Sequence, residues 1–223
     1  MARLTTPALW LPGPLNAINS ATATSQADQA GNPIFMGLNP GKLIVLSTNE
    51  AQNVAAPGTK LYDGAYQYVQ LDSGATAANA LAGSPAFMLL DTGGGVGQGT
   101  SPENAYKVPT VTTADVANRL GLNSFFCGIF INPATVNGSS TAPTPGNWLM
   151  IFAGAGRAAV NVGTVEAVTL GDYVFPDSNH AGAFQGSATA PTIPIKSGVG
   201  IEPGAESATA VAYYPDIILK FIG

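Results

Sequence analysis

The one segment written like an enzyme's active site is LLDTGGG, in which Leu89 and Leu90 lead into Asp91, Thr92 and Gly93. An apolar pair followed by Asp-Thr-Gly is the triplet of aspartic peptidases. Those enzymes hold two carboxylates so close that they share a proton, one acting as base toward water and the other as acid toward the substrate carbonyl. No second triplet exists in this chain, so a second copy would have to supply the other carboxylate. The continuation GGGVGQG reads better as a turn that closes a strand, and Asp91 is carried only as the aspartic-peptidase alternative.

The remaining chemical candidates are weaker. GGGVGQGTS lacks the lysine that would reach a phosphate, and GAGRA has neither the spacing nor the downstream acid of a dinucleotide site. His180 is the single histidine and stands in DSNHAG, with no nucleophile elbow in the chain, so a surface-loop histidine is expected. Cys127 is the single cysteine, which rules out an intramolecular disulfide and a multi-cysteine zinc site. Asp172 and Asp177 flank YVFP, Glu202 and Glu206 flank PGA, and all four read as solvated turns with nothing to raise a carboxyl pKa. Asn137 opens an Asn-x-Ser sequon, read as loop chemistry. The expectation is a protein that is not an enzyme, with no catalytic residues, no cofactor and no metal.

Composition narrows the partners. Of 223 residues only 9% are charged, against roughly 25% in ordinary domains, and eight Lys and Arg face thirteen Asp and Glu for a net charge of −5. So few basic groups cannot neutralise many phosphates, so neither nucleic acid nor an anionic membrane is an expected partner. Pro7, Pro12 and Pro14 interrupt the amino-terminal apolar run before it reaches signal-peptide length. SFFCGIFI and NWLMIFAGAG fall far short of the roughly 20 apolar residues that cross a bilayer.

The elements that would position any function divide at about residue 42. Residues 1–41 have Arg3 and Asp28 as their only charges, carry prolines at 7, 12, 14, 33 and 40, and show no helical or strand period. This reads as an extended arm, able to bury Leu4, Leu9, Trp10 and Leu11 only against some other surface. That surface is either another chain or the arm's own domain. Residues 42–223 read as a β-rich domain of short apolar runs between Gly, Pro, Asn and Asp: KLIVLST, AYQYVQL, FFCGIFI, NWLMIFAG, AAVNVGTV, VEAVTLGDYVF, IPIKSGVGIE and YYPDIILKFI. In the second run Tyr66 and Tyr68 share one side, and at least one of them is expected in the core. TTADVANRLG offers a short helix, with Thr112 and Asp115 in capping positions and Gly121 as a stop. ATAANALA offers a second on alanine propensity alone. NPATVNGSSTAPTPG is expected to be a surface loop. The predicted fold is all-β, a compact β-barrel or β-sandwich with one short helix and an extended N-terminal arm.

The order of AYQYVQL, FFCGIFINP, PGNWLMIFAGAGRAAVNV, VTLGDYVFPDSNHAGAF and SGVGIEPG resembles the capsid decoration, or cement, proteins of tailed phages. The likeness runs from about Lys60 to the carboxyl end. The arm has no counterpart in it, and the 132–146 loop departs from it. The resemblance implies a viral structural protein made in the host cytoplasm and carried on the outer capsid surface of the virion. There a homotrimer would clamp neighbouring subunits of the major capsid protein, without catalysis. In that setting Leu4, Leu9, Trp10 and Leu11 become possible capsid contacts, with the arm lying along a neighbour's exposed strand edge. Removal of residues 1–34 is then expected to lower capsid occupancy without unfolding the domain. The alternative in the same structural class is a phage tail or baseplate β-domain that binds host glycans through exposed Tyr and Trp such as Trp148.

Overall fold

A computed structural model describes residues 15, 43–56, 59–72, 75–89, 110–113, 124–132, 142–164, 167–177, 179–191 and 197–215. They form strand β1 (Leu43–Leu46), helix α1 (Thr48–Asn53), and strands β2 (Gly64–Leu71), β3 (Pro85–Leu89), β4 (Thr110–Thr113), β5 (Ser124–Phe130) and β6 (Trp148–Gly154). Strands β7 (Gly156–Asn161), β8 (Tyr173–Pro176), β9 (Phe184–Ser187), β10 (Gly198–Glu202) and β11 (Thr209–Tyr214) follow. The first sheet runs β1-β2-β4-β3-β5-β6, and β2 also pairs with β6, which closes five of its strands into a ring. The second sheet runs β7-β11-β10-β8-β9. Every ladder is antiparallel except β2 with β4. The fold is an all-β sandwich, as expected from the sequence.

Closure explains why β5 and β6 are apolar at nearly every position. In β6, Trp148, Met150 and Phe152 face the second sheet, whereas Leu149 and Ile151 join the cluster inside the ring with Val69, Leu71, Ala86 and Met88. A strand with both faces buried has no polar side to alternate with. In β5 the side chains of Phe126 and Ile129 both reach the inter-sheet core although they stand an odd three positions apart. The ladder shows how: Phe87 pairs with Phe126 and Ala86 with Gly128, leaving Cys127 as the extra residue of a β-bulge that resets the alternation.

The chain passes from one sheet to the other through Gly154, Ala155 and Gly156. Ala155 takes φ 54°, and a Cβ on Gly156 would stand 2.0 Å from the Asp63 carbonyl oxygen. Glycine is required at 156 because two backbones meet there. The contact is completed by the Arg157 N–H, which donates to the same carbonyl at 3.0 Å.

Several expectations change in the folded chain. Tyr66 and Tyr68 are both buried, Tyr66 edge-on to Phe152 at 5.7 Å and Tyr68 tilted against Trp148 at 5.3 Å. Trp148 is only 2% exposed, so it cannot serve as a surface glycan contact. Its place in β6 points it into the gap between the sheets, where its area is worth most. The segment expected to form a helix at Thr112 is strand β4 up to Thr113, paired to β2 and β3, and its remainder lies outside the described residues. ATAANALA makes one 3-10 turn, Ala77–Asn79, because alanine propensity alone supplies no packed face.

The α-helix among the described residues, α1, begins in the tail of KLIVLST. Glu50 closes its start, accepting from the Ser47 N–H at 2.8 Å and the Ser47 hydroxyl at 2.7 Å. These bonds hold the Glu50 carboxyl below its ordinary pKa. Strand β11, Thr209–Tyr214, takes in the first two residues of YYPDIILKFI, and the rest of that run after Pro215 lies outside the described residues. Among the described residues of VEAVTLGDYVF, the named strand is β8, Tyr173–Pro176, which starts within its last three residues.

Of the arm, the structure describes Leu15 alone. Leu15 is fully buried in the inter-sheet core, and its N–H donates to Val54 at 2.7 Å. A deletion of residues 1–34 would therefore remove a core side chain, and the domain would not be left untouched. Leu4, Leu9, Trp10 and Leu11 lie outside the described residues, as does Asp91. Among the described residues no helix is long and apolar enough to cross a membrane.

Candidate interaction face

The second sheet buries one face and exposes the other. Val174, Ala210, Ala212 and Tyr214 turn inward to the core. On the outer face, one row of directly paired residues crosses the whole sheet. Arg157 pairs with Tyr213, Tyr213 with Val199, Val199 with Tyr173, and Tyr173 with Ser187. Residues directly opposite in a ladder carry their side chains on the same face. The three central members are 43%, 41% and 39% exposed, making a continuous apolar stripe of Tyr213, Val199 and Tyr173.

The ends of the stripe are fixed by polar contacts. At one end Arg157 donates through Nε to Asp63 Oδ1 at 2.6 Å and through Nη2 to Thr48 Oγ1 at 3.0 Å. At the other, the turn before β8 is closed by Asp172, whose Oδ2 accepts from the Thr169 N–H at 2.8 Å and the Thr169 hydroxyl at 2.7 Å. Asp172 is thus a turn clasp. Leu170, in the same turn, is exposed. The turn is tied to β10 by Gly171 N–H donating to Gly200 and Gly200 N–H donating to Asp172, both at 2.9 Å. A stripe anchored this way presents aromatic and branched side chains on a rigid backbone, the arrangement that protein contacts use for their anchors.

A second polar feature joins two loops. His180 Nδ1 lies 2.8 Å from Asp177 Oδ2, and its Nε2 lies 3.2 Å from Thr164 Oγ1. Asp177 is buried, and its Oδ1 also accepts from the Asn179 N–H at 2.7 Å, which corrects its reading as a solvated turn residue. The carboxylate is tolerated inside because both oxygens are bonded. The hydroxyl, imidazole and carboxylate stand in the order of nucleophile, base and orienting acid, and they tie the loop after β7 to the turn between β8 and β9. The three-residue spacing from Asp177 to His180 was the only sequence sign of this pairing, and Thr164 gave none.

Glu202 and Glu206 are exposed, as expected. Cys127 is buried with its Sγ 3.5 Å from the Ala86 carbonyl oxygen, and burial pushes its thiol well above the ordinary range. Among the described residues no three His, Cys, Asp or Glu side chains converge to hold a metal ion. No protein-family model, curated protein or solved structure matches this chain.

Proposed function

We propose that this chain is a virion structural protein that decorates an icosahedral phage capsid and clamps neighbouring major capsid subunits. It acts by shape and adhesion, not by catalysis. The observation that carries the reading is the stripe of Tyr213, Val199 and Tyr173 across the open face of the second sheet. A weakly charged domain gains little from electrostatic steering, so its contacts must come from apolar burial and close packing. Contacts of this kind are modest singly. Linked in a homotrimer they would act at high effective concentration, so the assembly would hold where one copy dissociates.

The test is whether the purified chain sediments as a trimer and binds expanded shells that lack it. Replacing Tyr173 and Tyr213 together by serine should weaken shell binding at least about tenfold, as loss of aromatic anchors does. Shell binding unchanged by the double substitution would remove the stripe from the contact. Glycan binding without shell binding would transfer the protein to the tail or baseplate.

A further inference from the structure

A cavity of about 340 Å³ opens between the Lys60–Tyr62 segment, the end of β5 and strand β7. Three features of its wall bear on what it holds. The first is Asn132, which lines the cavity and is 3% exposed. Its Nδ2 donates to the Ala80 carbonyl, while its buried Oδ1 has no partner among the described residues. A buried acceptor left open is costly, and a ligand N–H would recover that cost.

The second feature is the outer edge of β7. The Arg157 N–H donates to Asp63 at 3.0 Å and the Asn161 N–H donates to Gly83 at 2.9 Å, both on the side away from β11. Val162, of opposite parity, donates to Ala208 on the β11 side. Strand alternation therefore turns the N–H and C=O of Ala159 to the outer side as well. Ala159 lines the cavity, so one ladder rung faces it between two that are already closed. Gly83 holds the far rung because a Cβ there would come within 2.8 Å of Asn161 Oδ1.

The third feature is charge. Lys60 also lines the cavity, with Nζ 4.8 Å from the centre of the Tyr62 ring, and is paired with no acid among the described residues. Arg157, the other cation there, is matched by Asp63 at 2.6 Å.

We propose that this cavity binds the carboxyl-terminal residue of an apolar peptide, taken up as a single rung of a β-ladder. Ala159 N–H donates to the acyl carbonyl, the ligand amide N–H donates to Asn132 Oδ1, and the carboxylate meets Lys60. The apolar side chain rests against Leu61 and Phe152. A longer strand does not fit, because the rungs on either side are occupied. The site is independent of the sheet-face contact and survives if that reading fails.

The experiment titrates N-acetyl-leucine into the isotope-labelled full chain and follows the amide resonances. Saturable shifts are expected at the Ala159 amide and the Asn132 side-chain amide. The α-acetoxy analogue, which has an ester oxygen in place of the N–H, should bind about tenfold more weakly. Lys60→Met, at an exposed position, should weaken N-acetyl-leucine about threefold and leave its uncharged carboxamide unaffected. The proposal is overturned by an absence of saturable shifts at these two amides, by equal binding of the acetoxy analogue, or by equally tight binding of N-acetylglucosamine.

Discussion

The two sheets of this molecule share a core but differ in what they leave open. The ring formed by β2, β4, β3, β5 and β6 carries buried apolar residues on both its faces among the described residues. The second sheet has one buried face and one solvated face, and its solvated face carries tyrosine and valine where a monomer would gain from polar residues. The first sheet makes the domain stable, while the second has surface to spend on recognition. Substitutions in the two regions should therefore separate stability from binding.

Phe152→Ala should have the largest effect, removing a buried ring that packs on both Tyr66 and Tyr214. It should cost about 3–5 kcal/mol in chemical denaturation. Gly156→Ala comes next, at about 1–3 kcal/mol, because the new Cβ meets backbone and not a movable side chain. Full stability in that variant would mean that the crossing between the sheets is looser than described.

Alkali should weaken the core. Burial raises the pKa of Cys127, Tyr66 and Tyr214 above their ordinary values of 9.0, 10.0 and 10.0. The fold shelters their protonated forms, so their contribution is complete below those values and is lost as pH climbs past them. The denaturation midpoint should fall as pH climbs above about 9, and the fall should be shallower in Cys127→Ala. A midpoint that is flat across that range would contradict the burial of these groups. The smallest effect on stability is expected for the Tyr173 and Tyr213 serine substitutions, within about 0.5 kcal/mol each at exposed sites, although binding suffers most there.

Strand existence was legible wherever a run such as NWLMIFAG or FFCGIFI was too apolar and too short for anything but a buried strand. The helix at Thr48–Asn53 was not, because its six residues carry no apolar period and form only where Ser47 and Glu50 close the first turn. The burial of Trp148 is not legible locally, because exposure depends on which face of β6 meets the other sheet. The stripe was hidden for a related reason. Tyr173, Val199 and Tyr213 lie in three separate segments, and nothing local relates them until β8, β10 and β11 align in register.

The sequence by itself determined a sparsely charged, all-β chain with a single thiol and a single imidazole, because composition and short-range alternation act through residues close along the chain. Tertiary structure decided which tyrosines are core and which are surface, where Leu15 is held, and that Asn132, Ala159 and Lys60 share one cavity. These depend on ring closure and on pairing across long sequence separations, where the free energy comes from excluding water between distant segments.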